Sequence, residues 1–215
     1  MGNLDYTPFY LKGNGPNIIN INMINEFLKN NGELKLFFEN NDIELKVLNI
    51  SYFESLCYWV IGQQISGKVA EIFIERLQNE VKIINSKNVS ELTIDQFKEI
   101  GLNNSKRETL LRLANLDLEN RLILDHSKYD SEHILKHYTK IKGIGPWTVN
   151  MFMIFSLGRL DVSAALDLVV RKGLKILYNL SEVPDIKNAK MLMRTWGEFG
   201  TIGTLLCWRL MGEQI

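Results

Sequence analysis

The amino-acid sequence predicts a mainly α-helical fold. Beyond residue 50, apolar side chains recur at the three-to-four-residue spacing of amphipathic helices, and Ser/Thr-x-x-Glu/Gln boxes precede several of these runs. The same part of the chain lacks a convincing run of alternating strand residues, an internal repeat and a low-complexity linker. The predicted helices must therefore share one core or two closely apposed cores.

Residues 1–49 differ in composition from the rest of the chain. They are rich in Asn and Gly and contain short alternations such as residues 18–22 (Ile-Ile-Asn-Ile-Asn), a pattern typical of a turn-rich arm with a strand or two. This segment is too short for a separate domain of ordinary size. We expect a short N-terminal arm packed on a helical core of residues 50–215.

The helices of the core are predicted one by one from their start signals. A box at residues 51–54 begins a long helix that reaches about Leu77, with a break expected near Gly62 or Gly67. A second box at 93–96 begins a short helix that ends at Gly101, and a third at 105–108 begins the next helix. Further helices are predicted near 131–140, 147–157, 168–178, 186–195 and 201–212.

Composition limits the class of protein. With 46% hydrophobic residues, 23% charged residues and a formal net charge of zero, the chain is ordinary globular protein. Its apolar stretches are shorter than the roughly 20 residues that cross a bilayer, so we expect a soluble protein. Cys57 and Cys207 are too few for a four-cysteine iron–sulfur or zinc site, and a reducing cytoplasm is the expected compartment.

The most informative segment is residues 141–148 (Ile-Lys-Gly-Ile-Gly-Pro-Trp-Thr), between two predicted helices and termed the hairpin below. Gly143 and Gly145 allow a tight turn whose backbone N–H groups, next to a helix N-terminus, can cradle a phosphate oxygen. A plain turn between helices is the alternative interpretation. Residues 140–175 carry six basic side chains against two acidic ones, which concentrates positive charge in this part of the chain.

Asp167 lies directly before a predicted helix, about twenty residues after the hairpin. Its simplest role is that of an N-cap, in which the carboxylate accepts hydrogen bonds from helix N–H groups. The same bonds and the helix dipole would keep this carboxylate ionised at neutral pH. Such a group at a cleft is suited to stabilise a cation.

These segments together resemble the helix-hairpin-helix DNA glycosylase superfamily. The hairpin at 143–148 is similar to that of the 3-methyladenine DNA glycosylase II type, and Asp167 matches the aspartate at the head of the following helix. Residues 53–70 and Trp196 with residues 207–210 provide further matching blocks, so that the resemblance covers residues 35–212. It implies a compact bilobal form, with two lobes around a cleft.

The resemblance implies a base-excision-repair enzyme that acts on double-stranded DNA. It would flip out 3-methyladenine and 7-methylguanine and hydrolyse the N-glycosidic bond, with Asp167 as the catalytic residue. Trp147 stands where the strand-cutting members carry a Schiff-base lysine, so a monofunctional enzyme that leaves an abasic site is expected. Trp147 is also the first candidate for the base pocket, followed by Tyr58, Trp59 and Trp208, for which a core position is the competing interpretation.

The resemblance also implies a set of DNA contacts. Gln64 stands at the intercalating position with Ile65 beside it, although Ile65 could equally be a core residue. The expected DNA-binding residues are Gln63, Gln64, Ile65 and Ser66 in one turn, Lys142, Gly143, Gly145 and Thr148 in the hairpin, and Arg171.

No cofactor is expected to be required, although hairpin carbonyls could share a structural monovalent cation with the phosphate. His133 and His137 have a spacing that can bind a metal but lack a glutamate between them and a third ligand, so no metal site is predicted. A monomer is expected, in a cytoplasm of bacterial or archaeal type and at the nucleoid when bound to DNA. The alternatives are a glycosylase for oxidised or deaminated purines and a non-catalytic helix-hairpin-helix DNA-binding module.

Overall fold

The structure is a computed structural model that describes residues 16–39 and 41–212. Secondary structure in these residues is helical, without a strand, so the predicted mainly α fold is confirmed. Among the helices described, none has the length and apolar character needed to span a membrane.

The structure contains a series of α-helices joined by connections of different lengths. They are α1 (Ile21–Lys29), α2 (Lys35–Glu39), α3 (Tyr52–Ile61), α4 (Gly67–Val81), α5 (Ser86–Ser90), α6 (Ile94–Ile100), α7 (Asn104–Leu118), α8 (Ser131–Tyr138), α9 (Pro146–Phe155), α10 (Leu168–Leu177), α11 (Ile186–Leu192) and α12 (Gly200–Leu210). Short 3-10 helices cover Gly32–Leu34, His126–Lys128 and Met193–Phe199.

The chain divides into two compact units. The hairpin unit is Asn49–Phe152, and the C-terminal unit combines Met1–Leu48 with Met153–Ile215. Hydrogen bonds join the described part of the N-terminal arm to the end of the chain. Asn31 Nδ2 donates to the Thr195 carbonyl at 3.2 Å, and Thr195 Oγ1 donates to Asn31 Oδ1 at 2.7 Å. The cleft expected between two lobes stays a prediction.

The strand or two predicted for the arm is not found among residues 16–39 and 41–49, and residues 1–15 lie outside the described residues. The alternation at 18–22 is instead the start of α1. Asn20 Oδ1 accepts hydrogen bonds from the backbone N–H groups of Asn22 (3.0 Å) and Met23 (3.1 Å). Asn is among the preferred N-cap residues, and this local bond favours the helix over the strand.

The predicted break in the first long helix is confirmed. α3 ends at Ile61 and α4 begins at Gly67, and residues 62–66 between them are termed the wedge turn below. The box at 93–96 caps α6 as predicted. The helix start predicted from the box at 105–108 was wrong. Asn103 is the N-cap, with Oδ1 accepting the Lys106 N–H at 2.9 Å, and α7 begins at Asn104. Asn and Ser cap equally well, so the sequence does not distinguish the two starts.

Candidate functional site

The two glycines of the hairpin differ in whether the fold requires them. Gly143 has a φ of 97°, in the left-handed region, and a Cβ placed there would overlap Thr109 Oγ1. A Cβ on Gly145 would meet no atom within 4 Å. The Gly145 carbonyl accepts the Val149 N–H at 3.2 Å, which begins the hydrogen bonding of α9. Of the two hairpin glycines, the fold therefore requires glycine at Gly143 but not at Gly145.

Side chains from elsewhere in the hairpin unit hold the hairpin tip. Gln63 Nε2 donates to the Gly143 carbonyl at 2.9 Å and to Thr148 Oγ1 at 2.8 Å. Arg112 Nη1 of α7 donates to the Lys142 carbonyl at 2.8 Å, and Lys142 is exposed. Two positive charges thus lie at the tip, next to the N-terminus of α9. This arrangement attracts an anion.

The structure brings together several residues that the sequence predicted as DNA contacts, but the side chains of two of them, Gln63 and Thr148, bond to each other. The Thr148 side chain is 1% exposed and its hydroxyl accepts from Gln63. Both side chains therefore brace the hairpin, and neither the buried Thr148 hydroxyl nor the Gln63 amide nitrogen is left to contact DNA. The Lys142 and Gly143 carbonyls each accept one hydrogen bond, which leaves a second lone pair on each oxygen, and the monovalent cation at the hairpin stays a prediction.

The wedge turn presents Gln64. This residue is exposed and has a φ of 56°, an uncommon conformation for a residue with a side chain. Ile65 is half-buried, and Ser66 Oγ accepts the Val69 N–H at 3.4 Å as the N-cap of α4. Sequence reasoning missed Lys106, which is buried and donates from Nζ to the Ile61 carbonyl at 2.6 Å. Burial lowers the pKa of Lys106.

In the C-terminal unit, two donors hold the Asp167 carboxylate. Asp167 is the N-cap of α10, with Oδ1 accepting the Val170 N–H at 2.9 Å, as the simplest interpretation of the sequence predicted. The same oxygen accepts the Trp208 indole N–H at 3.3 Å. Trp208 is 7% exposed and stacks on Phe155, with ring centroids 5.7 Å apart. Trp208 therefore orients the carboxylate, a role that the sequence did not predict.

The close approach of α10 and α12 makes this bond possible. A Cβ on Gly173 would lie 2.6 Å from the Cys207 Cα, so the two backbones meet where glycine leaves room. Trp208 follows Cys207 directly. Burial, and to a lesser extent the Asp167 charge, raises the pKa of the Cys207 thiol.

Two buried threonines of α12 fix the loop that leads to Asp167. Thr201 Oγ1 donates to the Arg159 carbonyl at 2.8 Å and accepts the Val162 N–H at 3.2 Å. Thr204 Oγ1 donates to the Val162 carbonyl at 3.2 Å and accepts the Ala164 N–H at 3.2 Å. Asp167 is thus positioned by α10, which it caps, and by the preceding loop at residues 159–164, which the two threonines hold.

Residues 57–198 match the HhH-GPD superfamily, described as base excision DNA repair proteins. The chain belongs to this superfamily. DNA-3-methyladenine glycosylase 1 of Schizosaccharomyces pombe is 28% identical over 61% of this chain and 60% of its own length. The chain thus spans about three fifths of the length of that relative.

Solved structures show the same fold. DNA-3-methyladenine glycosidase from Bacillus halodurans superposes with a TM-score of 0.79 at 25% identity, over 92% of both chains. The S. pombe 3-methyladenine DNA glycosylase, solved in complex with abasic DNA, has a TM-score of 0.75 at 24% identity, over 84% of this chain and 90% of that one.

The remaining predicted residues of this HhH-GPD chain are half-buried or buried. Trp147 is half-buried, whereas Tyr58 and Trp59 are buried within α3, at 6% and 2% exposure. Tyr58 Oη donates to Glu54 at 2.9 Å. Arg171 is half-buried and donates from Nη1 to the Pro184 carbonyl at 3.2 Å.

No group of three His, Cys, Asp or Glu side chains suited to a metal ion occurs in the part of the chain that the structure describes.

Proposed function

We propose that this HhH-GPD protein is a monofunctional DNA glycosylase of base excision repair that removes 3-methyladenine and 7-methylguanine from double-stranded DNA. The observation that supports this most is the Asp167 carboxylate, which the Val170 amide and the Trp208 indole hold in one orientation. The relatives whose names specify 3-methyladenine glycosylases support the choice of alkylated purines.

The chemistry needs one carboxylate. Cleavage of the glycosidic bond passes through an oxocarbenium-like sugar, and Asp167 would stabilise that positive charge and orient the attacking water. A purine alkylated at N3 or N7 already carries a positive charge and leaves without a second carboxylic acid. One fixed aspartate therefore suffices for hydrolysis of these lesions.

Trp147 supports both the substrate and the outcome of the reaction. The half-buried indole offers an aromatic face to a cationic base, an attraction of about 0.5–2 kcal/mol. An indole has no amine to form a Schiff base with the sugar, so the abasic strand would be left uncut. Tyr58 and Trp59 remain weaker candidates because of their burial.

DNA would be held at its backbone and opened at the lesion. The hairpin amides together with Lys142 and Arg112 form the phosphate site, which fixes the position of the enzyme without reading sequence. Gln64, exposed on its strained turn, and Ile65 beside it would fill the space that the flipped nucleotide leaves. We expect the protein to act as a monomer in the cytoplasm.

Release of free base from methylated duplex DNA tests this proposal, with native protein and Asp167→Asn side by side. Asn is also a good N-cap, so α10 is retained while the negative charge is lost. Release of 3-methyladenine and 7-methylguanine by the native protein, lost in Asp167→Asn with DNA affinity kept, is the expected result. Binding without release by the native protein would instead indicate another lesion class or a non-catalytic module.

A further inference from the structure

The two parts of the hairpin unit proposed to contact DNA are joined through one side chain. Gln63 lies in the wedge turn, and its Nε2 donates to the Gly143 carbonyl (2.9 Å) and to Thr148 Oγ1 (2.8 Å). The opposite orientation of the amide would place two oxygens in contact, because the Gly143 carbonyl can only accept. Both N–H groups of the Gln63 side chain are thus used to hold the hairpin.

One end of this connection adjoins Gln64, and the other end is fixed in place. Gln63 directly precedes Gln64, the exposed residue with positive φ. At the other end, Gly143 is locked against Thr109 of α7, where any side chain would overlap. A displacement of the hairpin would therefore be transmitted to the backbone that carries Gln64.

Helix α7 supports both the hairpin and the end of α3, which leads directly into the wedge turn. Its Arg112 holds the Lys142 carbonyl, and its buried Lys106 holds the Ile61 carbonyl at the end of α3. A cation at a helix C-terminus is favourably placed. The side chain of Gln63 adds a direct link between the hairpin and the wedge turn.

We propose that Gln63 is a positioning residue that couples phosphate capture at the hairpin to insertion of Gln64 into the duplex. This inference rests on the proposed function. With the link intact, a backbone phosphate bound at the hairpin places Gln64 at a fixed distance along the strand. Without it, the hairpin still binds phosphate but the wedge turn is no longer held in register with it.

Gln63→Met tests the coupling, because methionine has a similar length and no N–H donors. Asn88→Leu is the matched control, since Asn88 Nδ2 also donates to two backbone carbonyls of the hairpin unit, those of Val81 (3.3 Å) and Ile83 (2.9 Å). Three quantities are measured for each: affinity for undamaged duplex, the single-turnover rate of 3-methyladenine release, and the fluorescence of 2-aminopurine next to the lesion at saturating protein. The fluorescence reports unstacking at the lesion.

Gln63→Met should change affinity for undamaged duplex by less than about twofold and slow base release by about tenfold or more, as expected for misplaced groups. Its 2-aminopurine signal at saturation should fall, whereas Asn88→Leu should match the native protein in all three. Equal behaviour of the two variants, or an equal loss of affinity and rate in Gln63→Met, would overturn the coupling. Native protein that releases no base and gives no fluorescence change would instead refute the proposed function.

Discussion

Replacing Trp208 with phenylalanine would remove one hydrogen bond from the Asp167 carboxylate while keeping an aromatic ring against Phe155. The N-cap bond from Val170 remains, so α10 should still begin at the same residue. The carboxylate would lose the constraint that the Trp208 indole places on its orientation. We therefore expect the loss to appear in the rate of the chemical step rather than in DNA binding.

The magnitude follows from the geometry. A hydrogen bond to a charged group contributes about 1.5–3 kcal/mol, and the 3.3 Å separation between Trp208 Nε1 and Asp167 Oδ1 indicates the lower end of that range. About 1.4 kcal/mol corresponds to tenfold in rate. Single-turnover release of 3-methyladenine should thus slow about tenfold, with an unchanged Kd for the duplex.

Trp196→Phe is the matched control in the same unit. Trp196 is fully buried and its indole N–H donates to Tyr178 Oη at 3.0 Å, so this variant loses a comparable hydrogen bond away from Asp167. Trp208→Phe should also cause no further loss of rate when combined with Asp167→Asn, because Trp208 acts through the Asp167 carboxylate. Equal rates for the two tryptophan variants, or additive losses in the double variant, would refute the reasoning.

Two further predictions concern the hairpin unit. Gly143→Ala should lower the free energy of unfolding by about 2 kcal/mol or more, because it adds strain at positive φ and a clash with Thr109, whereas Gly145→Ala should stay within about 0.5 kcal/mol. Urea unfolding of both variants measures this difference, and equal losses would contradict it. Burial lowers the pKa of Lys106 in the folded protein below 10.5. Between the lowered pKa and 10.5, the unfolded state therefore binds more protons than the folded state. The stability of the native protein relative to Lys106→Met should rise with pH through that window. Unfolding free energies of both proteins between about pH 8 and 10.5 check this, and a constant difference would disprove it.

Most helices could be predicted because a helix start depends on residues within one turn. Thr93 and Asp167 cap α6 and α10 with side chains that bond to N–H groups three residues away. The same local chemistry explains the errors. Asn103 and Asn20 are capping residues as good as serine, so α7 began earlier than predicted and a helix replaced the strand expected near Asn20.

The candidate site was predictable only where it lies in one segment. The hairpin glycines and Asp167 carry their signal in neighbouring residues, whereas their supports come from far along the chain. Trp208 is 41 residues from Asp167, Gln63 is 80 residues from Gly143, and Arg112 is 30 residues from Lys142. A hydrogen bond across such a separation leaves no pattern in a single sequence, so the bond from Trp208 to Asp167 could not be predicted.

One distant contact did leave a signal, in the two threonines of α12. Thr201 and Thr204 are three residues apart in a helix whose only charged side chain is Arg209 in the last turn, and both threonines are fully buried. Buried hydroxyls need hydrogen-bond partners, which a helical threonine finds either on its own helix or on a neighbouring segment. The loop at residues 159–164 supplies those partners. The loop before Asp167 is therefore held by side chains of α12, so that the geometry of the proposed catalytic residue depends on a helix more than thirty residues further along the chain.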